Sequence, residues 1–115
     1  MFDQIRHEEQ DGIAIVHLRG QFIGGEETDR LREILNKMAG DQKPALIVNL
    51  EKVTYLNSTA LGVLISTHAN FTKRNSRIAL CNISKNIENI FVITKLTLVF
   101  DIYPTVDEAI KQLSV

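Results

Sequence analysis

"PALIVNLEKVTYLNSTALGVLISTHANF", Pro44 to Phe71, is the stretch whose reading decides the fold. It opens with an apolar run behind a proline, "PALIVNL", the composition of a short strand covered on both faces, with the proline tolerated because it stands at the strand's start. It then crosses three consecutive small polar residues, Asn57, Ser58 and Thr59. Beyond them Leu61, Leu64, Ile65, His68 and Phe71 or Thr72, widened by Val63, recur at helical spacing. A buried strand followed by a helix that must cross back over the sheet is a unit of a parallel α/β layer.

Working outward, the same alternation repeats. "GIAIVHLRG" from Gly12 reads as a strand with Ile13, Ile15 and His17 on one side and Ala14, Val16 and Leu18 on the other. Phe2 to Glu8 alternates weakly, and the turn signal "EQDG" joins the two as an antiparallel hairpin. After the loop "GQFIGGEET", Leu31, Ile34, Leu35 and Met38 mark a helix that Gly40 ends. Downstream, "RIALCNI" is a strand, Ile87, Ile90, Phe91 and Thr94 a helix face, and "LVFDIY" a last strand. Val106, Ala109, Ile110 and Leu113 form a closing helix, started by a capping box of Thr105 with Glu108. The pattern predicts one α/β domain over residues 1–115, with about five strands in a mixed, mostly parallel sheet, about four helices and an antiparallel hairpin at the edge.

Composition narrows the function. Thirteen basic against fourteen acidic residues leave a net charge of −1, without the basic excess that phosphate neutralisation by a nucleic-acid binder requires. The N-terminal "MFDQIRHEEQDG" has no apolar h-region, and no run approaches the ~18 apolar residues that span a bilayer. No membrane insertion is expected, and the cytoplasm is the default compartment. The single cysteine, Cys81, sits in "IALCNI" and is expected to be a buried small hydrophobe. His17 and His68 have no Cys, Asp or Glu at metal-ligand spacing, and "GQFIGGEE" is not a phosphate-binding loop, so no metal and no cofactor are expected. "TKRNSR" is a solvated basic helix end. No catalytic residue is expected either. Ser58 lacks the glycines of a nucleophile elbow, and His68, ten positions along the helix, lies about 15 Å from it by helical rise.

The three polar residues at the strand-to-helix turn remain. One of them, Asn57 or Ser58, suffices as a helix cap; the surplus points to the loops at strand C-terminal ends, where α/β sheets place their sites. Here the chain resembles the STAS domain, the anti-sigma factor antagonist family. The resemblance runs from the paired strands and "LRG" to the last helix, and it is sharpest at the strand followed by "VTYLNSTALGV", which is similar to the family's aromatic-hydrophobic-Asp-Ser-Ser/Thr-Gly-Leu-Gly motif. The resemblance implies a STAS fold and a regulatory binding protein, not an enzyme. By position it makes Ser58 the phosphorylated serine, with Thr59 the second candidate. It implies as partner an anti-sigma factor with serine kinase activity, countered by a PP2C-type phosphatase. Three positions depart from the family: Asn57 replaces its Asp, Ala60 its Gly, and Ile23 an acidic residue of the partner surface. A different or diverged partner would account for all three. The partner-binding set expected is Phe22, Ile23, Asn57, Ser58, Thr59, Ala60 and Leu61, of which Phe22, Ile23 and Leu61 are read as exposed contacts or as core edge. The alternative is a stand-alone sensor or accessory domain that binds a small molecule, a nucleotide or a transporter subunit.

Overall fold

The hairpin comes first, as "EQDG" predicts. In the computed structural model, which describes residues 4–114, β1 (Ile5–Gln10) pairs antiparallel with β2 (Ile13–Phe22), Gln10 opposite Ile13. Phe2 and Asp3, the start of the expected first strand, lie outside the described residues. Only Asp11 and Gly12 join the two strands, at φ 54° and 80°. That is the backbone of a two-residue turn whose twist matches the strands, and Asp and Gly tolerate it. β1 is an edge strand, and past Ile5 its side chains are exposed and mostly charged, which discourages pairing with another chain.

The remaining elements alternate: α1 (Glu26–Gly40), β3 (Ala45–Leu56), α2 (Ser58–Lys73), β4 (Arg77–Cys81), α3 (Lys85–Ile93), a short 3-10 turn at Leu96–Leu98, β5 (Asp101–Tyr103) and α4 (Val106–Leu113). The strand order is β1-β2-β3-β4-β5, parallel from β2 onward. Each crossover therefore steps the same way, and right-handed crossovers put α1, α2 and α3 on one face. The main core lies there: Val16, Leu46, Val48 and Leu80 of the sheet pack with Leu31, Leu35, Leu64, Phe71, Ile87 and Phe91 of the helices. The other face, with Ile13, Ile15, Ala45, Ile47, Ala79 and Cys81, is covered by Ala109, Ile110 and Leu113 of α4. The helix starts where Thr105 Oγ1 accepts the Glu108 N–H at 3.0 Å.

Several details differ from expectation. β2 continues to Phe22 and β3 runs twelve residues, beyond the expected "PALIVNL" through "EKVTYL". The pairing slips twice: His17 faces Asn49 but Arg19 faces Lys52, and Gly20 faces Val53 but Gln21 faces Tyr55. Each slip gives β3 one extra residue, a bulge that keeps Leu50, Val53 and Leu56 all turned to the core at spacings of three. On α2, Ile65 is exposed and Thr67 is buried instead, its Oγ1 donating to the Val63 carbonyl at 2.8 Å. The hydroxyl is thus satisfied within its own helix and costs the core little. Thr72 and Thr94 are exposed too, and the last strand is shorter than "LVFDIY", with Leu98 and Val99 at the surface.

Candidate functional site

Parallel pairing of β2 and β3 ends at Phe22 opposite Leu56, and the Asn57 N–H donates to the Phe22 carbonyl at 3.0 Å. The segments that follow, Ile23 to Gly25 and Asn57 to Thr59, leave the sheet side by side. Asn57 is the N-cap of α2: its backbone is extended and its Oδ1 accepts the Ala60 N–H at 3.0 Å. One residue thus does the capping, and Ser58 and Thr59 are left exposed. No acidic residue stands in the first turn of α2, so its own side chains do not offset the positive end of its dipole. Asn57→Ala is expected to destabilise the protein by about 1 kcal/mol in urea denaturation, the usual worth of an N-cap.

The neighbouring loop is organised by a carboxylate. The N-cap position of α1, Gly25, has no side chain to offer. Glu27 substitutes: its Oε2 accepts the Thr28 hydroxyl at 2.6 Å, the Ile23 N–H at 2.7 Å and the Gly25 N–H at 3.1 Å. Buried Thr28 in turn accepts the Gly24 N–H at 2.9 Å. The Thr28 hydroxyl, with the backbone N–H groups and against a desolvation that works the other way, holds the Glu27 carboxyl at about 2, well below its ordinary 4.5. Gly24, at φ 86°, lies against the motif: a Cβ there would be 3.5 Å from Asn57 Nδ2 and 3.6 Å from Thr59 Oγ1. The positive φ calls for glycine, while a Cβ would meet these atoms only at ordinary contact distance.

A lowered carboxyl pKa contributes stability that is present above the unfolded value and lost as pH falls towards the folded one. Glu27→Gln is therefore expected to lower stability at pH 7 by on the order of 1 kcal/mol, for a partly exposed group, and with it the melting temperature. The gap to wild type should close between about pH 4.5 and 2, as Glu27 itself becomes protonated. Thermal melts across that range would check it; a gap that does not change with pH would contradict the latch.

Of the partner-binding residues expected from sequence, Ile23, Ser58 and Thr59 are exposed, and Asn57 is half-buried. Phe22 and Ala60 are fully buried and Leu61 is 8 % exposed, so for Phe22 and Leu61 the core-edge reading holds and not the exposed contact, and Ala60 is not a surface contact either. Phe22 alternates inward at the end of β2 to meet Leu56, and Ala60 and Leu61 lie on the inner face of α2, so all three support the site from below. An exposed large side chain at the end of β3 that sequence reasoning missed is Tyr55, 48 % exposed and opposite Gln21 in the pairing with β2. Val53 and Leu56 point to the core and Tyr55 does not, an assignment the bulge hides in the sequence. A polar cleft runs from Thr59 between α1 and α2, along Arg32, Asn36, Gly62, Ser66 and Asn70.

The other tempting residues are structural. The His68 ring meets Phe100 edge-on, with centroids 5.1 Å apart. Burial pushes the Cys81 thiol up to about 12, far from a reactive thiolate. Among the described residues no three of His, Cys, Asp and Glu are grouped to hold a metal ion, and no helix is long and apolar enough to cross a membrane.

A family model described as the STAS domain matches residues 4–109. The chain belongs to the STAS domain family. The STAS match contains the whole site, from the Glu27 latch to the start of α2. The anti-sigma-B factor antagonist of Staphylococcus aureus is 32 % identical over 78 residues, 64 % of this chain and 72 % of that protein. Among solved structures, an anti-sigma factor antagonist from Mycobacterium paratuberculosis superposes with a TM-score of 0.87 at 24 % identity, covering 96 % of this chain and 93 % of that one. Phosphorylated SpoIIAA of Bacillus superposes at 0.75 with 17 % identity, covering 94 % and 97 %. At these identities the two structures speak for the STAS fold: a five-stranded mixed sheet with four helices in one α/β domain.

Proposed function

We propose that this chain is an anti-sigma factor antagonist working in the cytoplasm. Unmodified, it lays Ser58 and the adjoining Ile23 loop on an anti-sigma factor that is also a serine kinase; the kinase phosphorylates Ser58, the complex falls apart, and a PP2C-type phosphatase restores the hydroxyl. The name of the Staphylococcus aureus relative, at 32 % identity, supports the antagonist role. The observation that carries the switch is the position of Ser58, exposed at the first residue of α2 while its neighbour Asn57 does the capping. The hydroxyl has no structural duty there, so modifying it removes no capping contact. Thr59, exposed beside it, is the second candidate acceptor.

In this role the chain binds and is modified but catalyses nothing. The test is to mix it with a histidine-kinase-like anti-sigma factor and ATP and record the intact mass. One added phosphate on wild type and on Thr59→Ala, with none on Ser58→Ala, is expected; no phosphate on wild type would defeat the proposal.

A further inference from the structure

Seven large apolar side chains stand exposed among the described residues, and four of them, Val92, Ile93, Leu98 and Val99, fall within eight consecutive positions. The end of α3 and the 3-10 turn after it carry them. Hydrogen bonds close this segment on itself: the Lys95 N–H donates to the Val92 carbonyl at 3.1 Å, and the Leu98 N–H to the Lys95 carbonyl at 3.1 Å. Behind it the rings of Phe91 and Phe100, both buried, meet with centroids 5.8 Å apart, so the segment is pinned to the core at its two ends. The four side chains thus form one patch on a fixed backbone. Ile93 is 79 % and Leu98 84 % exposed, so their apolar surface is buried against nothing in this chain; clustered exposure of this kind marks an interaction surface, where single exposed residues would not.

The patch stands at the β5 edge of the sheet, two strands from β3 and the turn that holds Ser58. The two edges differ. β1 shows mostly charged side chains to solvent, whereas β5 is preceded by Leu98 and Val99. Two charges flank the patch: Lys95 and Asp101 lie three positions before and three after Leu98, both exposed, and neither has an ion-pair partner among the described residues. Lys95 is held at φ 63° just past the end of α3, where glycine or asparagine is the usual choice, so the turn itself does not ask for a lysine. In a two-fold pair each surface meets its own copy, and every contact between two different residues is made twice. An axis beside Leu98 brings Lys95 to Asp101 of the partner subunit and Asp101 to Lys95 of the partner subunit, with the apolar side chains closed between them. The patch is complementary in charge to itself.

We infer that this chain forms a symmetric homodimer through the flank between α3 and β5, Leu98 packing against its own copy and Lys95 pairing with Asp101 of the partner subunit on both sides of the axis. A patch this small makes a weak, concentration-dependent dimer. The dimer needs neither Ser58 nor Ile23.

Sedimentation equilibrium of the full chain over a concentration series tests it. The mass is expected to climb from one chain towards two, with a dissociation constant on the order of 100 µM. Leu98→Glu should weaken association by about tenfold or more, because it sets two carboxylates at the axis, and at 84 % exposure the side chain is no part of the core. Ile23→Glu, on the Ser58 side, should leave it unchanged. Charge exchange separates a direct contact from a structural effect. Lys95→Glu alone and Asp101→Lys alone should each dissociate, since both pairs become repulsive; mixed in equal amounts, the two variants should associate as well as wild type, because every pair is then of opposite sign. A chain that stays monomeric up to about 1 mM, a dimer that Leu98→Glu leaves intact or Ile23→Glu breaks, or a mixture that fails to associate would overturn the dimer. So would a monomer whose Leu98→Glu variant loses the anti-sigma factor instead, which would give the patch to that partner.

Discussion

Ser58→Asp is expected to bind the anti-sigma factor about a hundredfold more weakly than wild type while melting at nearly the same temperature, and Ser58→Ala to bind as well as the unmodified chain. Two unequal electrostatic terms set the contrast. Within the fold, a negative group at the first residue of α2 meets unpaired N–H groups and the positive end of the dipole, a gain of about 0.3–1 kcal/mol. In the complex, the partner must desolvate the same charge or face it with its own groups, at a cost of several kcal/mol. At about 1.4 kcal/mol per tenfold, the second term dominates. A phosphate, carrying about −1.5 to −2 charges, should exceed the single charge of aspartate and reach a thousandfold. Calorimetric titration of both mutants, with melts alongside, measures the two terms separately. Equal affinities would refute the switch.

The second large effect separates two adjacent residues. Phe22→Ala should destabilise the protein by about 3–5 kcal/mol, because it empties a fully buried position where β2 ends against Leu56. The mutant's folded fraction should still bind. Ile23→Ala should leave stability within about 0.5 kcal/mol, as surface substitutions do. It should nevertheless weaken binding about tenfold or more, if its 52 % exposed side chain is a contact at the centre of the interface. Urea denaturation and affinity measured on each mutant check the pair. A stable Phe22→Ala, or an Ile23→Ala that unfolds as readily, would show that burial has been assigned to the wrong residue.

The same two residues show how far the sequence was legible. The turn at Asp11–Gly12, the α/β alternation and the two faces of β2 were readable because each rests on local chemistry or on an unbroken period of two. The end of β3 was not. Two bulges space Leu50, Val53 and Leu56 three apart, so the strand loses its alternation beyond "PALIVNL"; the sequence gives Tyr55 no side and leaves Phe22 open between exposed contact and core edge. On α2, Thr67 looks polar but spends its hydroxyl on Val63, which lets it take the buried place expected of Ile65. At the site, the Asn57 cap was visible in the residue type. The Glu27 latch was hidden, since an acid in the first turn of a helix is commonplace and, besides the Thr28 hydroxyl, its partners are backbone N–H groups of a glycine loop, which have no side-chain signature.

The unidirectional strand order has a consequence for biosynthesis. Each strand docks beside the one made just before it, so the sheet can grow vectorially as the nascent chain leaves the ribosome, with few long-range closures to wait for. The exception is α4. Until Ala109, Ile110 and Leu113 arrive, Ile13, Ile15 and Ile47 face solvent as a bare apolar strip, and a polypeptide stalled before them would be adhesive on that side alone.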